Sequence, residues 1–536
     1  MVAGFHNKFI NGVTKSGGNW YPPGRGAESL TPLIVAFWRT LFVLFTMTMV
    51  GCVSVRERSR VEENAGIDQL TQSTASTQIS PQLLIEDLRF IDDNLRKVHP
   101  NPFLRVTEQN YNELLDKTLS QLKIGQTRGE FYLKVAPLLA SLRDAHSFVH
   151  LPKDRRGEFR RRGEMLFPLA VIVDGERLLT AADLSSMPKV PSGAEIEEIN
   201  GAPVSYLLSR MRQLIVKETQ EGQDRKIQME FAWLLSSLGL ARGAYQVKYS
   251  FDGENITTEI DGILPPATGD KAGQPKSFYG FSVLSDKTAL LWLNDFNEKP
   301  EVFEQFMQDK LALMERHNIG NLIIDIRYNS GGLSQNLKTL LAFISDKETH
   351  WAVKAKIKIS EQLKQNHRSQ TRHRREEKYS WGLQWLPVEW TNKLQHSIYW
   401  ADNGEYLDLS LEPIESLRKK ALKGVWVLTN GYCYSACSFF VASVNRDKSA
   451  ITLGERVGSL VDVQFAYPVT LELPHSHLKV TLPTMELIFS DPNQASQDNR
   501  LILPLVPIKR TESDIQLKQD PVLKRALLEA ESISNH

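Results

Sequence analysis

Net charge is the first thing this chain has little of. Its 64 Lys and Arg against 63 Asp and Glu leave +1 over 536 residues, which gives no electrostatic case for a nucleic-acid partner or an acidic substrate. The sequence contains no phosphate-cradling nucleotide loop and no internal repeat. It also lacks a zinc ligand set. His475 and His477 alternate on an expected strand and face one way, but a zinc site needs three or four ligands and no others have suitable spacing. No cofactor is therefore expected. The basic stretch His367 to Lys378 reads as a solvated insertion. Cysteine is scarce, with three in the chain, and the position of each is informative.

Two of them flank a serine. Val425 to Leu428 predicts a buried strand, Thr429-Asn430-Gly431 a turn, and Ala436 to Val444 an apolar helix. Ser435 falls at the helix N-terminus, where unpaired N–H groups and the positive end of the helix dipole favour developing negative charge. Serine there is either a nucleophile or an N-cap. A second segment, Asn321 to Ile326, predicts a strand running through Arg327-Tyr328-Asn329-Ser330 into Gly331-Gly332 and then a helix over Ser334 to Ile344. Adjacent glycines allow positive φ, so their N–H groups can point at a bound oxyanion. In a third segment, a helical pattern over Phe131 to Leu142 ends in Asp144-Ala145-His146, a histidine beside an acid.

Taken together, in the order His, Gly-Gly, Ser, these segments resemble the serine peptidase family that includes the C-terminal processing proteases and the tricorn protease. The matching motifs are Asp144-Ala145-His146, Asp325-Ile326-Arg327-Tyr328-Asn329-Ser330-Gly331-Gly332 and Ser435-Ala436, with Val98-His99-Pro100 upstream and Gly454-Glu455-Arg456 downstream. The resemblance implies an α/β, crotonase/ClpP-like catalytic core over 278–525. It implies an acyl-enzyme at Ser435, with Gly331, Gly332 and Ala436 as the oxyanion hole. C-terminal processing proteases pair the serine with a downstream lysine, but Leu460 stands at the corresponding position and Gly454 to Gln464 contains no lysine. The tricorn-like alternative uses histidine as general base, and His146 stands at the matching position. For the third member the resemblance points to Asp498, with Asp491 and Glu486 as rivals. The chain departs from the family at Ser438, where glutamate is common. It departs again around Asp498 to Pro507, where the usual Gly-Val-x-Pro-Asp segment is missing. These departures keep open a catalytically inactive peptide-binding relative. A lipase or esterase is disfavoured by the absence of a Gly-x-Ser-x-Gly elbow. Cys433 and Cys437 either form a disulfide that clamps the nucleophile loop or remain two buried thiols.

The remaining organisation follows from composition and pattern. Leu41 to Val50 has the length of a signal-peptide apolar run, about 7 to 15 residues, and it ends in Met49-Val50-Gly51-Cys52, which resembles a lipoprotein cleavage box with Cys52 as the lipidated residue. The alternative is a single-pass anchor from Leu33 onward. Either places the body outside the cytoplasm, and Val53 after the cysteine resembles the outer-membrane sorting pattern. Residues 53–80 predict a flexible tether and 81–150 a helical N-terminal domain. In the strand-rich stretch 165–264, Ser192 to Val204 resembles a PDZ segment, although helical sequence over 205–243 interrupts it. A generic Asn-Gly hairpin is the other reading. The expected partners are a peptide or protein substrate and a membrane reached through the lipid.

Overall fold

The computed structural model describes residues 78–153, 156–216, 218–265, 279–376, 394, 396–418, 422–460, 462–489 and 501–534. The leader with Cys52, the tether before residue 78, and both Asp491 and Asp498 lie outside the described residues.

Three helices open the described chain, Pro81–Val98, Glu108–Ser120 and Arg128–Ala140. Each start has a local cause. Pro81 occupies the first turn of one, Thr107 accepts the Asn110 N–H, and Thr127 with Glu130 forms a reciprocal capping box. Leu84, Leu88, Ile91 and Leu95 recur at helical spacing and are all buried. They do not form a core of their own. The same hydrophobic cluster takes in Val171, Ile196, Leu207, Phe231 and Val247 from the strand-rich region.

That region is a six-stranded sheet of Leu169–Asp174, Arg177–Asp183, Glu195–Ile199, Ala244–Phe251 and Glu254–Asp261, with Ala202–Pro203 added to Glu195–Ile199. Asn200 and Gly201 both have positive φ, 51° and 76°, the requirement of a tight two-residue hairpin turn. Two helices, Val204–Leu214 and Gln220–Leu235, stand between its strands in sequence, where the pattern over 205–243 predicts helix.

A second six-stranded sheet is built from Tyr279–Val283, Thr288–Leu293, Asn321–Asp325, Gly424–Thr429, Ile451–Gly454 and Val506–Pro507 in spatial order, parallel everywhere except at the first pair. Gly424–Thr429 lies inside it, and all six of its residues are buried. Val425 and Val427 point into the larger core, while Trp426 and Leu428 point at Val522, Ala526 and Ala530 of the C-terminal helix Pro521–Ser534. A parallel strand covered on both faces reads as an unbroken apolar run, which is why the sequence marks it so plainly.

A third sheet carries a long hairpin, Val463–Glu472 with Lys479–Ile488. One end, with Val469 and Leu482, packs into the cluster shared by the three helices and the six-stranded sheet that begins at Leu169; the other, with Met485 and Leu487, packs into the larger cluster around the parallel sheet. The short strand Phe148–Val149, just after His146, pairs with this hairpin at Thr481 and Val480. His475 and His477 depart from the expected strand. They sit at the hairpin turn, and each pairs with its own glutamate, His475 with Glu86 and His477 with Glu472. Among the described residues no group of His, Cys, Asp or Glu is arranged to hold a metal, and no helix is long and apolar enough to cross a membrane.

Candidate active site

Ser435 sits on a sharp turn between the buried strand Gly424–Thr429 and the helix Ala436–Asp447. Its backbone is at φ 52°, ψ −125°, a region a serine occupies only when its surroundings impose it. The side chain makes no capping bond. The hydroxyl is therefore not spent on the helix, and the N-cap reading is not realised. This is a sharp strand-to-helix elbow, formed without a Gly-x-Ser-x-Gly sequence.

Several contacts impose the turn. The Asn430 side chain accepts the Tyr432 N–H at 2.9 Å, and the Cys433 N–H donates to the Asn430 carbonyl at 3.1 Å. Cys433 and Cys437 are joined in a disulfide across the serine, with Cα atoms 5.3 Å apart and neither side chain exposed. Ser438, where the family commonly has glutamate, is fully buried, and its hydroxyl donates to the Cys433 carbonyl at 3.4 Å.

The glycine pair packs directly against this turn. Gly331 and Gly332 have φ of 99° and 135°. A Cβ on Gly331 would lie 2.8 Å from the Ser435 Cβ and 3.2 Å from the Ala436 nitrogen, so only glycine fits. The Gly331 N–H donates to the side-chain oxygen of buried Asn329 at 2.8 Å. The Gly332 and Ala436 N–H groups have no acceptor among the described residues. The earlier part of this motif has a different task. Arg327 grips both carboxylate oxygens of Asp325 and both of Asp520, tying the Gly-Gly loop to the start of the C-terminal helix.

His146 lies on the turn between the helix Arg128–Ala140 and the short strand Phe148–Val149. Asp144, almost wholly buried, organises its segment. Asp144 Oδ1 accepts the His146 N–H at 3.0 Å, and Oδ2 accepts the Ser147 hydroxyl at 2.5 Å and the His99 Nε2–H at 3.2 Å. Because His99 Nδ1 accepts the Asn101 N–H, its proton is on Nε2 and the ring is neutral. Burial lowers the His99 pKa further. The His146 Nδ1 stands 3.7 Å from Asp144 Oδ1, beyond hydrogen-bond length, so the carboxylate acts on the ring through its field. Burial opposes charge on His146, but the nearby carboxylates of Asp144 and Glu218 outweigh it and lift the pKa above the usual 6.5. Burial would likewise raise Asp144, yet the two histidines hold it well below the ordinary carboxylate range.

Glu486 has other neighbours. It lies on the hairpin opposite Lys356 and Phe465, and burial raises its pKa against the pull of Lys356 and Arg105. Leu460, at the position of the family's lysine, is buried; its side chain offers no base, and its N–H donates to Glu218 Oε2.

Residues 287–499 match the model of peptidase family S41, a stretch that includes Gly331, Gly332 and Ser435 but not His146. The family that the motifs resemble is thus the one whose model matches these residues, which carry the Gly-Gly and Ser435 motifs. Among solved structures, the chain resembles mature CPAF complexed with lactacystin, at 15% identity over 85% of this chain and 99% of that one, with a TM-score of 0.60. Uncomplexed mature CPAF gives a TM-score of 0.58 at the same identity over 97% of that chain. At such identity the likeness shows the fold alone, which is mixed α/β. No curated protein matches the sequence.

Proposed function

We propose that this chain is a serine peptidase that cleaves peptide bonds through an acyl-enzyme at Ser435, with His146 as general base. The observation that carries the reading is the Ser435 turn. A serine held at φ 52°, ψ −125°, against a paired glycine that tolerates no Cβ, carries backbone strain while its hydroxyl makes no capping bond in return. The Ser435 hydroxyl attacks the peptide carbonyl as its proton passes to neutral His146. The carbonyl oxygen becomes an oxyanion, and the Gly332 and Ala436 N–H groups are the donors free to receive it; each such donor is worth roughly 3 to 4 kcal/mol of barrier. His146 then gives its proton to the departing amine, and water, activated by the same ring, hydrolyses the ester.

Asp144, the carboxylate nearest the His146 ring nitrogen, supports the imidazolium formed in both steps. The lysine mechanism is unsupported, since Leu460 stands at that position. The Cys52 cleavage box, read from sequence, supports a cell-envelope lipoprotein acting on peptides or proteins there.

The test is covalent labelling of the full chain by a fluorophosphonate, beside Ser435→Ala and His146→Ala. Labelling lost in both variants upholds the reading. An unlabelled, folded wild type would instead favour a silent peptide-binding relative of the same fold.

A further inference from the structure

Glu218 belongs to neither the nucleophile turn nor the histidine segment, yet it touches the surroundings of both. It lies in the linker between the helices Val204–Leu214 and Gln220–Leu235 and is 5% exposed. Oε1 accepts the Ala145 N–H at 2.8 Å, one peptide before His146. Oε2 accepts the Leu460 N–H at 3.2 Å, in the loop that follows the strand beside the nucleophile strand. The next residue, Thr219, caps the following helix by accepting the Gly222 N–H and donates its own hydroxyl to the Gly458 carbonyl, so the linker is fixed on both sides. Gly222 packs so closely on the Tyr434 hydroxyl that a Cβ could not be accommodated, which sets the linker against the residue preceding Ser435.

A buried carboxylate needs partners to remain in place. Burial raises the Glu218 pKa and Asp144 adds to it, while the nearby Arg105 cation, the Ala145 N–H and His146 pull it back towards the carboxylate; each oxygen has a backbone donor. Arg105 is itself held by Asp462, by the Val463 carbonyl and by the Arg143 carbonyl. The charged and titratable groups around the His146 ring are therefore Asp144 and Glu218 on the negative side and Arg105 on the positive, with His99 beyond Asp144.

We propose that Glu218 is a positioning residue for His146, fastening the Ala145–His146 peptide to the Leu460 loop and holding a second negative charge, besides that of Asp144, against the imidazole. Two functions are combined in one side chain. The bidentate grip fixes where the base stands relative to the nucleophile turn, and the charge favours the imidazolium that the reaction forms. Its direction agrees with the upward pull of Glu218 on the His146 pKa. In this chain the linker carboxylate also joins the strand-rich region to the catalytic core at the point where the family's lysine is absent.

The inference rests on His146 being the general base. The test measures the rate of fluorophosphonate labelling of Ser435 against pH in the full chain, for wild type, Glu218→Gln and Glu218→Asp, with thermal melts alongside. Glutamine keeps the shape and removes the charge, so the acid limb of the profile is expected to move to lower pH by about one unit while the plateau falls. Aspartate keeps the charge but cannot span both N–H groups. Its acid limb is expected to stay and its plateau to fall about tenfold or more, as with loss of other residues that orient a catalytic or metal-bound group. An unmoved acid limb in Glu218→Gln would overturn the proposal, whatever its melting temperature. If that variant does not fold, a moved limb or an unchanged plateau in Glu218→Asp would do so. Absence of labelling in wild type would instead remove the underlying mechanism, a distinguishable failure.

Discussion

Gly331 and Ser435 stand in such close contact that a single methyl group on the glycine would lie 2.8 Å from the serine Cβ. The Ser435 turn and the Gly-Gly loop come from strands that are direct neighbours in the sheet, registered Asp325 against Leu428. Their separation is therefore fixed by backbone pairing and not by flexible side chains.

Gly331→Ala is the first consequence. Alanine would meet Ser435, the Tyr434 carbonyl and a φ of 99° together. A strained backbone alone costs about 1–3 kcal/mol. The expected outcome is loss of fluorophosphonate labelling with a lowered melting temperature. Retained wild-type labelling would show that the contact is dispensable.

The Cys433–Cys437 bridge closes a very short loop, so its effect on global stability is modest, about 2 kcal/mol on a chain-entropy estimate. Its local effect is on the Ser435 turn. A double Cys433→Ala, Cys437→Ala variant is expected to stay folded and to label at least about tenfold more slowly, because the strained serine loses a brace on each side. Both cysteines are fully buried, so mild reductant applied to the native protein should leave labelling unchanged. Thiol counting before and after denaturation checks the premise.

The pH profile has a definite sign. His146 must be neutral to accept the serine proton, and its pKa is raised above 6.5, so activity should rise along an acid limb centred above that value. Asp144→Asn removes one of the charges that raise it. The limb should then move to lower pH, with a reduced plateau. Asp144 is itself depressed in the folded state, so its contribution to stability is complete above the unfolded carboxylate value and is lost as the pH falls below it. The wild type should thus lose melting temperature on acidification more steeply than Asp144→Asn does.

Asp520→Ala separates stability from catalysis. It removes two hydrogen bonds from Arg327 and loosens the C-terminal helix from the sheet. Because Asp520 is 38% exposed, solvent moderates the loss to about 1–2 kcal/mol. Chemical denaturation should register it, while labelling at low denaturant should change little.

The parts of this molecule legible in its sequence are those with a local cause. Gly424–Thr429 and Asn321–Asp325 show as apolar runs because both faces of a parallel strand are buried. Ser334–Ile344 was readable to the residue from its glycine start and apolar spacing, and the Gly-Gly pair announces positive φ. Ser435 itself was legible as a serine between strand and helix, but not whether it capped the helix. The hydroxyl's freedom depends on a backbone conformation that the disulfide, Asn430 and Gly331 impose jointly. Glu218, Arg105 and Asp462 gave no signal at all. They lie in linkers without periodicity, hundreds of residues apart in the extreme, and acquire meaning only when the chain brings them to one buried place. A sequence records short-range constraints on each segment, whereas the field around His146 is a sum over charges that only the folded chain brings within reach of one another.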